Sequence, residues 1–201
     1  LKSLTLSLEL STLMFLGCVV CIHLLYPNYH HAWTQQVNLL FNETQKNITA
    51  EQTTQINAVK SAVTLLKPYA LGLRLSSILA TCYLYFAFAS FWLAHMHHTI
   101  VACTRQWHHL KLSKTSLILL LSIIGAALAG VESVYDMLPI AIIPIILSGL
   151  SLLHYFAYQK PFQKPLLFLG YLSVILLGFI SITLLIMLVF IDSLMDLRTK
   201  Y

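Results

Sequence analysis

Residues 166–191, from Leu166 to Ile191, carry no charged side chain. About 20 apolar residues in an α-helix, rising about 1.5 Å each, cross the hydrocarbon core of a bilayer. A domain of 201 residues has no interior large enough to hide such a run as a soluble core. The segment therefore assigns the chain to a membrane. Every other segment must join it in lipid or connect such helices at the surface, because hydrocarbon tolerates only backbone that satisfies its own hydrogen bonds.

Composition agrees. Hydrophobic residues make up 58% and charged residues 9%, against about 25% charged in a typical soluble domain. A net charge of +5 raises nucleic acid as a partner. The twelve Lys and Arg, however, sit thinly at the ends of apolar runs, as membrane flanks do, and no nucleic-acid partner is expected. Cys18, Cys21 and Cys82 lie within apolar runs and indicate no disulfide framework. The stretch Cys18-Val19-Val20-Cys21-Ile22-His23 lacks the histidine directly after the second cysteine that haem attachment needs, so no cofactor is expected.

The fold class expected is all-α: a polytopic transmembrane bundle forming a single domain over residues 1–201, with about five spans at 4–26, 69–93, 115–131, 137–158 and 166–191. Pro27 ends the first, because its ring conflicts with a continuing helix. Glu9 in that span reads either as an intramembrane acid or, as we prefer, as a group reaching the interface. Residues 28–67 are too polar for lipid. Trp33, Val37, Leu40 and Phe41 recur at helical spacing, as do Ile56, Val59, Val63 and Leu66 after a capping box at Thr49 and Gln52. Two amphipathic helices follow, as a lid over a cavity or as a packed connector. Pairs of small residues, Gly125 with Ala129 and Ala126 with Gly130, suit close helix packing inside the bundle or docking of a partner, the former being more common.

Five spans put the chain ends on opposite sides. Lys2, Arg105, Lys111, Lys114, Lys160 and Lys164 then share the cytoplasmic side, against Lys46, Lys60, Lys67, Arg198 and Lys200 outside. Residues 95–114 hold His95, His97, His98, His108 and His109 but no familiar metal-ligand spacing, and read as an interfacial basic loop. His23 and His154, within spans, are expected to be packed and hydrogen-bonded.

Arg74, Glu132, Asp136, Asp192 and Asp196 are the candidate substrate-binding residues. Charged groups near helix ends are costly in a membrane unless paired or facing a water-filled cavity, so they could line a polar pocket. Arg74 alternatively snorkels to the interface, and Asp196 alternatively pairs with Lys200 at i,i+4. No catalytic or metal-binding motif, and no phosphate-binding G-x-x-x-x-G-K-[ST] loop, is present in the sequence. An enzyme is the weakest of three readings, behind a solute-binding or transport subunit and a structural or assembly subunit of a larger membrane complex.

Three elements, Gly149-Leu150-Ser151-Leu152-Leu153-His154, then Tyr171, then Ile191-Asp192-Ser193-Leu194-Met195-Asp196-Leu197-Arg198, resemble the YybS-like family of uncharacterised bacterial multispanning inner-membrane proteins. That family is thought to be distantly related to the substrate-binding membrane subunits of energy-coupling-factor transporters. The resemblance implies location in a cell inner membrane, a small solute, and membrane-protein partners including a separate ATPase. It also implies a basic, cytoplasmic carboxyl end, which five spans do not provide.

Overall fold

The structure, a computed structural model, describes residues 2–45, 50–159 and 164–200. All the regular structure among them is helical: α1 (Lys2–Leu25), α2 (Tyr29–Gln45), α3 (Ala50–Leu65), α4 (Ala70–Met96), α5 (Ile100–His108), α6 (Lys114–Leu128), α7 (Leu138–Gln159), α8 (Lys164–Leu177), α9 (Phe179–Met195) and α10 (Leu197–Lys200). Short 3₁₀ helices, Lys67–Tyr69 and Glu132–Met137, lead into α4 and α7. Among the described residues, three segments are long and apolar enough to cross a membrane: Leu4–Leu25, Lys67–Met96 and Glu132–Ala157. α6 and the Ile180–Met195 part of α9 are apolar but shorter.

α7 is the central element and packs against α1, α4, α6, α8 and α9. Leu8 and Val19 of α1, Leu79 of α4, Leu120 of α6, Ile140 and Ile145 of α7 and Val189 of α9 fill one buried cluster. The buried Pro144 lies inside α7 without ending it, as neighbouring helices in a membrane bundle allow. Around this centre the outward faces remain apolar. Only 22% of the most apolar window of α1 and 17% of that of α4 is buried, and Leu84, Tyr85, Phe88 and Trp92 are exposed along one helix. Surface of this kind is stable against lipid tails and not against water.

The helix boundaries follow from local chemistry. Pro27 follows the end of α1, and Pro68 sits in the first turn of the 3₁₀ helix before α4. Ser113 caps α6, its side chain accepting from the Ser116 N–H at 3.2 Å. Glu9 accepts the Ser113 N–H and so ties α1 to that cap. At the far end of α6, Gly130 adopts φ +86° while the Val131 N–H reaches the Ala126 carbonyl at 3.0 Å, a Schellman closure.

Residues 28–67 form two helices, as their periodicity predicts. α2 and α3 pack against each other. Val37 is buried, whereas Leu40, Val59 and Leu66 of the expected apolar stripes are exposed. The capping box lies outside the described residues at Thr49, as does most of the basic connection between α7 and α8.

Two expectations require correction. The run 166–191 is not one helix: at Gly178 the backbone takes φ +42°, ψ −99°, and α8 ends as α9 begins. The two halves fold back on each other, with Ser181 Oγ donating to the Ser173 carbonyl at 2.7 Å, eight residues apart. In a continuous helix those positions would be about 12 Å apart along the axis. The hairpin returns the chain to the end from which it entered. Arg198 therefore lies against His108 and Leu110, in the connection between α5 and α6, rather than at the opposite end of the bundle. The second correction concerns the small residues. Gly125, Ala129 and Gly130 are exposed, and a Cβ on Gly125 or Gly130 would meet nothing within 4 Å, so this face is not packed inside the bundle.

Candidate functional site

The five candidate residues do not line one pocket. Arg74 and Glu132 are exposed, and neither makes an ion pair among the described residues. Asp192 and Asp196 lie at the end of the bundle that carries α5. Asp136 lies at the other end, about 20 Å away along α7.

At the α5 end, Asp192 is 1% and Arg198 7% exposed, and Arg198 Nε donates to Asp192 Oδ2 at 3.0 Å. The pairing depends on Asp196, whose left-handed backbone, φ +48° and ψ 53°, ends α9 and turns the chain back into the bundle. Asp is among the few residues that enter this conformation readily. Both terminal nitrogens also donate to the protein. Nη1 donates to the carbonyls of His108 and Leu110 at 2.8 Å and to Ser151 Oγ at 3.0 Å, and Nη2 donates to the Ser148 carbonyl at 3.2 Å. Tyr155 Oη in turn donates to the Arg198 carbonyl at 2.8 Å. Burial lowers the Arg198 pKa from its ordinary value, and Asp192 and Tyr155 oppose the fall. Asp196 itself is bound by Lys111; the i,i+4 pairing with Lys200 involves a side chain outside those described.

Beside this network is a cavity of about 230 Å³ between α4, α5, α7 and α8. Phe91, Trp107 and Leu147 supply apolar wall, and His108, Ser151 and His154 supply polar edges. Trp107 stacks on Phe91 with ring centroids 6.1 Å apart, and His108 stacks on His154 at 5.9 Å. His154 Nε2 shares a hydrogen bond with Tyr171 Oη at 2.7 Å, so this histidine is packed and bonded as expected. Ser151 joins the cavity to the ion pair: it lines the one, receives Arg198 from the other, and donates to the Trp107 carbonyl at 2.7 Å. Burial lowers the His108 pKa, and His154, His109 and Arg198 lower it further. Burial likewise lowers that of His109, with Arg198 and Arg105 adding to it. The neutral imidazole of each is thus favoured.

At the other end, the 3₁₀ helix Glu132–Met137 brings Asp136 against α4, α1 and α2. Asp136 is 1% exposed; its Oδ1 accepts the Gly72 N–H at 3.1 Å, and Oδ2 lies 3.1 Å from His23 Nε2 and 3.3 Å from His30 Nε2. Gly72 is needed for this approach, since a Cβ there would collide with the Asp136 carbonyl. Neither His23 Nε2 nor Asp136 Oδ2 has a hydrogen-bond partner. Among the described residues, His, Cys, Asp and Glu donors converge in a metal-sized group only here. His95 and His98, the closest sequence approach to a metal site, are exposed. The sequence signals for the real cluster are a histidine inside an apolar run and an aspartate between two spans, but nothing in the spacing joins them.

No protein-family model, curated protein or solved structure matches this chain.

Proposed function

We propose that this chain is a multi-pass membrane protein that binds a small solute in the cavity between α4, α5, α7 and α8. It serves as the solute-binding subunit of a transport assembly whose ATP-hydrolysing partner is a separate protein. The observation carrying this reading is the cavity itself: about 230 Å³, walled by aromatic faces and edged by imidazole, phenol and hydroxyl groups. A site of that composition suits a planar, uncharged solute with a few hydrogen-bonding atoms, since stacking supplies area and the polar edges fix orientation. The Arg198 guanidinium holds the wall in place, since each of its three nitrogens already donates to the protein.

The charge balance supports a cytoplasmic orientation for this end. With Arg198 and Lys200 on the side of α5, the basic residues change from six against five to eight against three. A cytoplasmic carboxyl end is also what the resemblance to the YybS-like family implies, and that resemblance supports an inner-membrane location and a partner ATPase.

A second reading, a non-catalytic subunit of a larger complex, is favoured by one observation: the exposed small residues Gly125, Ala129 and Gly130 offer a face on which another helix can approach closely. One experiment separates the two. The protein is purified gently from native membranes, and everything retained is identified by mass spectrometry, alongside a Leu150→Trp variant that fills the cavity. Solute binding is supported by a small molecule retained by the parent and lost from the variant at equal folded yield. A stoichiometric protein partner with no solute, or a solute that Leu150→Trp retains, overturns it.

A further inference from the structure

We propose that His23, His30 and Asp136 form a binding site for a divalent transition-metal ion of the zinc class, with a fourth coordination position open. The proposal does not depend on the solute cavity, which lies at the other end of the bundle.

Three features carry it. The first is convergence: one ligand atom from each residue can be chosen such that all lie within 4.8 Å of one another. Zinc binds histidine nitrogen and carboxylate oxygen at about 2.0 to 2.2 Å, so neighbouring ligands in a tetrahedron stand about 3.3 to 3.6 Å apart. The Nε2 to Oδ2 separations of 3.1 and 3.3 Å are close to those edges before any ion draws the ligands in. The second is orientation. Hydrogen bonds would need Nε2–H directed at Oδ2, yet Oδ2 has no hydrogen-bond partner and neither has His23 Nε2. The atoms are thus close together without being bonded to each other. The third is a built carboxylate. Asp136 is 1% exposed, a position where a carboxylate needs compensating partners. Its other oxygen is fixed by the Gly72 N–H at a place where only glycine fits. A hydrogen bond to the far oxygen of a ligating carboxylate orients it toward a metal.

The donor set selects the metal. Two imidazoles and one carboxylate suit Zn²⁺, Cu²⁺ or Fe²⁺ and are poor for Mg²⁺ or Ca²⁺, which prefer all-oxygen shells. Three protein ligands leave one position for water or a solute group. The His23 and His30 rings are partly exposed, whereas the ligand atoms His23 Nε2 and Asp136 Oδ2 are buried. An ion there would clamp α1, α2 and the 3₁₀ turn before α7 together, fixing the α2 and α3 pair to the bundle.

The test uses the full chain in lipid nanodiscs, stripped with chelator and then given Zn²⁺ alone, with bound zinc counted after desalting. One equivalent is expected in the parent and in a His97→Ala/His98→Ala control, with affinity about 100-fold weaker or worse in His30→Ala and in Asp136→Asn. His30 is partly exposed, so His30→Ala keeps the test valid if Asp136→Asn fails to fold. Co²⁺ substitution should give tetrahedral visible bands that move when azide is added. If the parent retains no zinc, the proposal fails. It fails equally if His30→Ala holds zinc as tightly as the parent, or if the control abolishes binding. Cobalt bands that ignore azide remove the open position.

Discussion

The guanidinium of Arg198 donates to the backbone carbonyl of Leu110 at 2.8 Å across 88 positions of sequence. Leu110 lies in the α5 to α6 connection, a stretch whose carbonyls would otherwise have no helical partner. One side chain from the last short helix thus satisfies backbone of the middle of the chain and neutralises Asp192 of α9. The interior at this end is organised around a cation rather than around an apolar plug.

Removing that cation leaves a buried carboxylate and several unpaired carbonyls. Arg198→Ala is expected to destabilise the protein by about 3 to 5 kcal/mol, seen as a large fall in unfolding temperature in detergent. Arg198→Lys keeps the charge but not the planar fork that reaches Asp192, Ser148 and Ser151 together, so it should recover only part of the loss. Asp192→Asn combined with Arg198→Met should cost less than the sum of its parts.

Glycine replacements should divide sharply. Gly72→Ala places a methyl against the Asp136 carbonyl, backbone on backbone, where no side chain can rotate away. A cost of about 1 to 3 kcal/mol follows from overpacking, together with loss of zinc retention through displaced Asp136. Gly125→Ala meets nothing within 4 Å and should leave thermal stability unchanged or slightly raised. Equal effects at the two positions would contradict the packing described.

The contrast shows what local pattern can and cannot carry. Helical class, the helical pair between Pro27 and Pro68 and the boundaries at those prolines are legible because apolar spacing and proline sterics act within a few residues, whereas Leu40, Val59 and Leu66 of the apolar stripes expected on that pair are exposed. Gly178 is not, since a glycine in an apolar run is compatible with a continuous helix and only its φ of +42° makes the turn. Asp192 and Arg198, six residues apart, do not share a helical face and meet only through the left-handed turn at Asp196. Asp136 stands out in the sequence as a charge near lipid, but its partners His23 and His30 come from other elements. Their meeting is a property of tertiary packing.

Acid should weaken the α5 end. Burial, with neighbouring positive charge, holds the His108 and His109 pKa values below the ordinary 6.5 of an unfolded chain. Between the two values the unfolded chain binds more protons, so the stability contributed is complete above the unfolded pKa and is lost as pH falls through it toward the folded one. Unfolding temperature should fall between about pH 7 and about pH 5, and a His108→Gln/His109→Gln variant should show a shallower fall. An identical profile in that variant would assign the acid sensitivity elsewhere.

The hairpin at Gly178 predicts which positions share a side of the membrane. If α8 and α9 enter and leave at one end, Arg105 and Asp196, both exposed, face the same compartment, and Glu132 faces the other. A continuous fifth span would instead group Asp196 with Glu132. Single-cysteine variants Arg105→Cys, Asp196→Cys and Glu132→Cys, in a background without native cysteines, can be treated with a membrane-impermeant maleimide in sealed vesicles. The first two should label together and the third oppositely. Gly178→Ala should destabilise the protein, because φ +42° with ψ −99° is open to glycine and strained for any residue with a Cβ. If Gly178→Ala also shifts part of the Asp196→Cys population to the other compartment, the glycine sets the topology. Unchanged labelling at reduced stability would mean that the Arg198 anchor holds the carboxyl end in place without it.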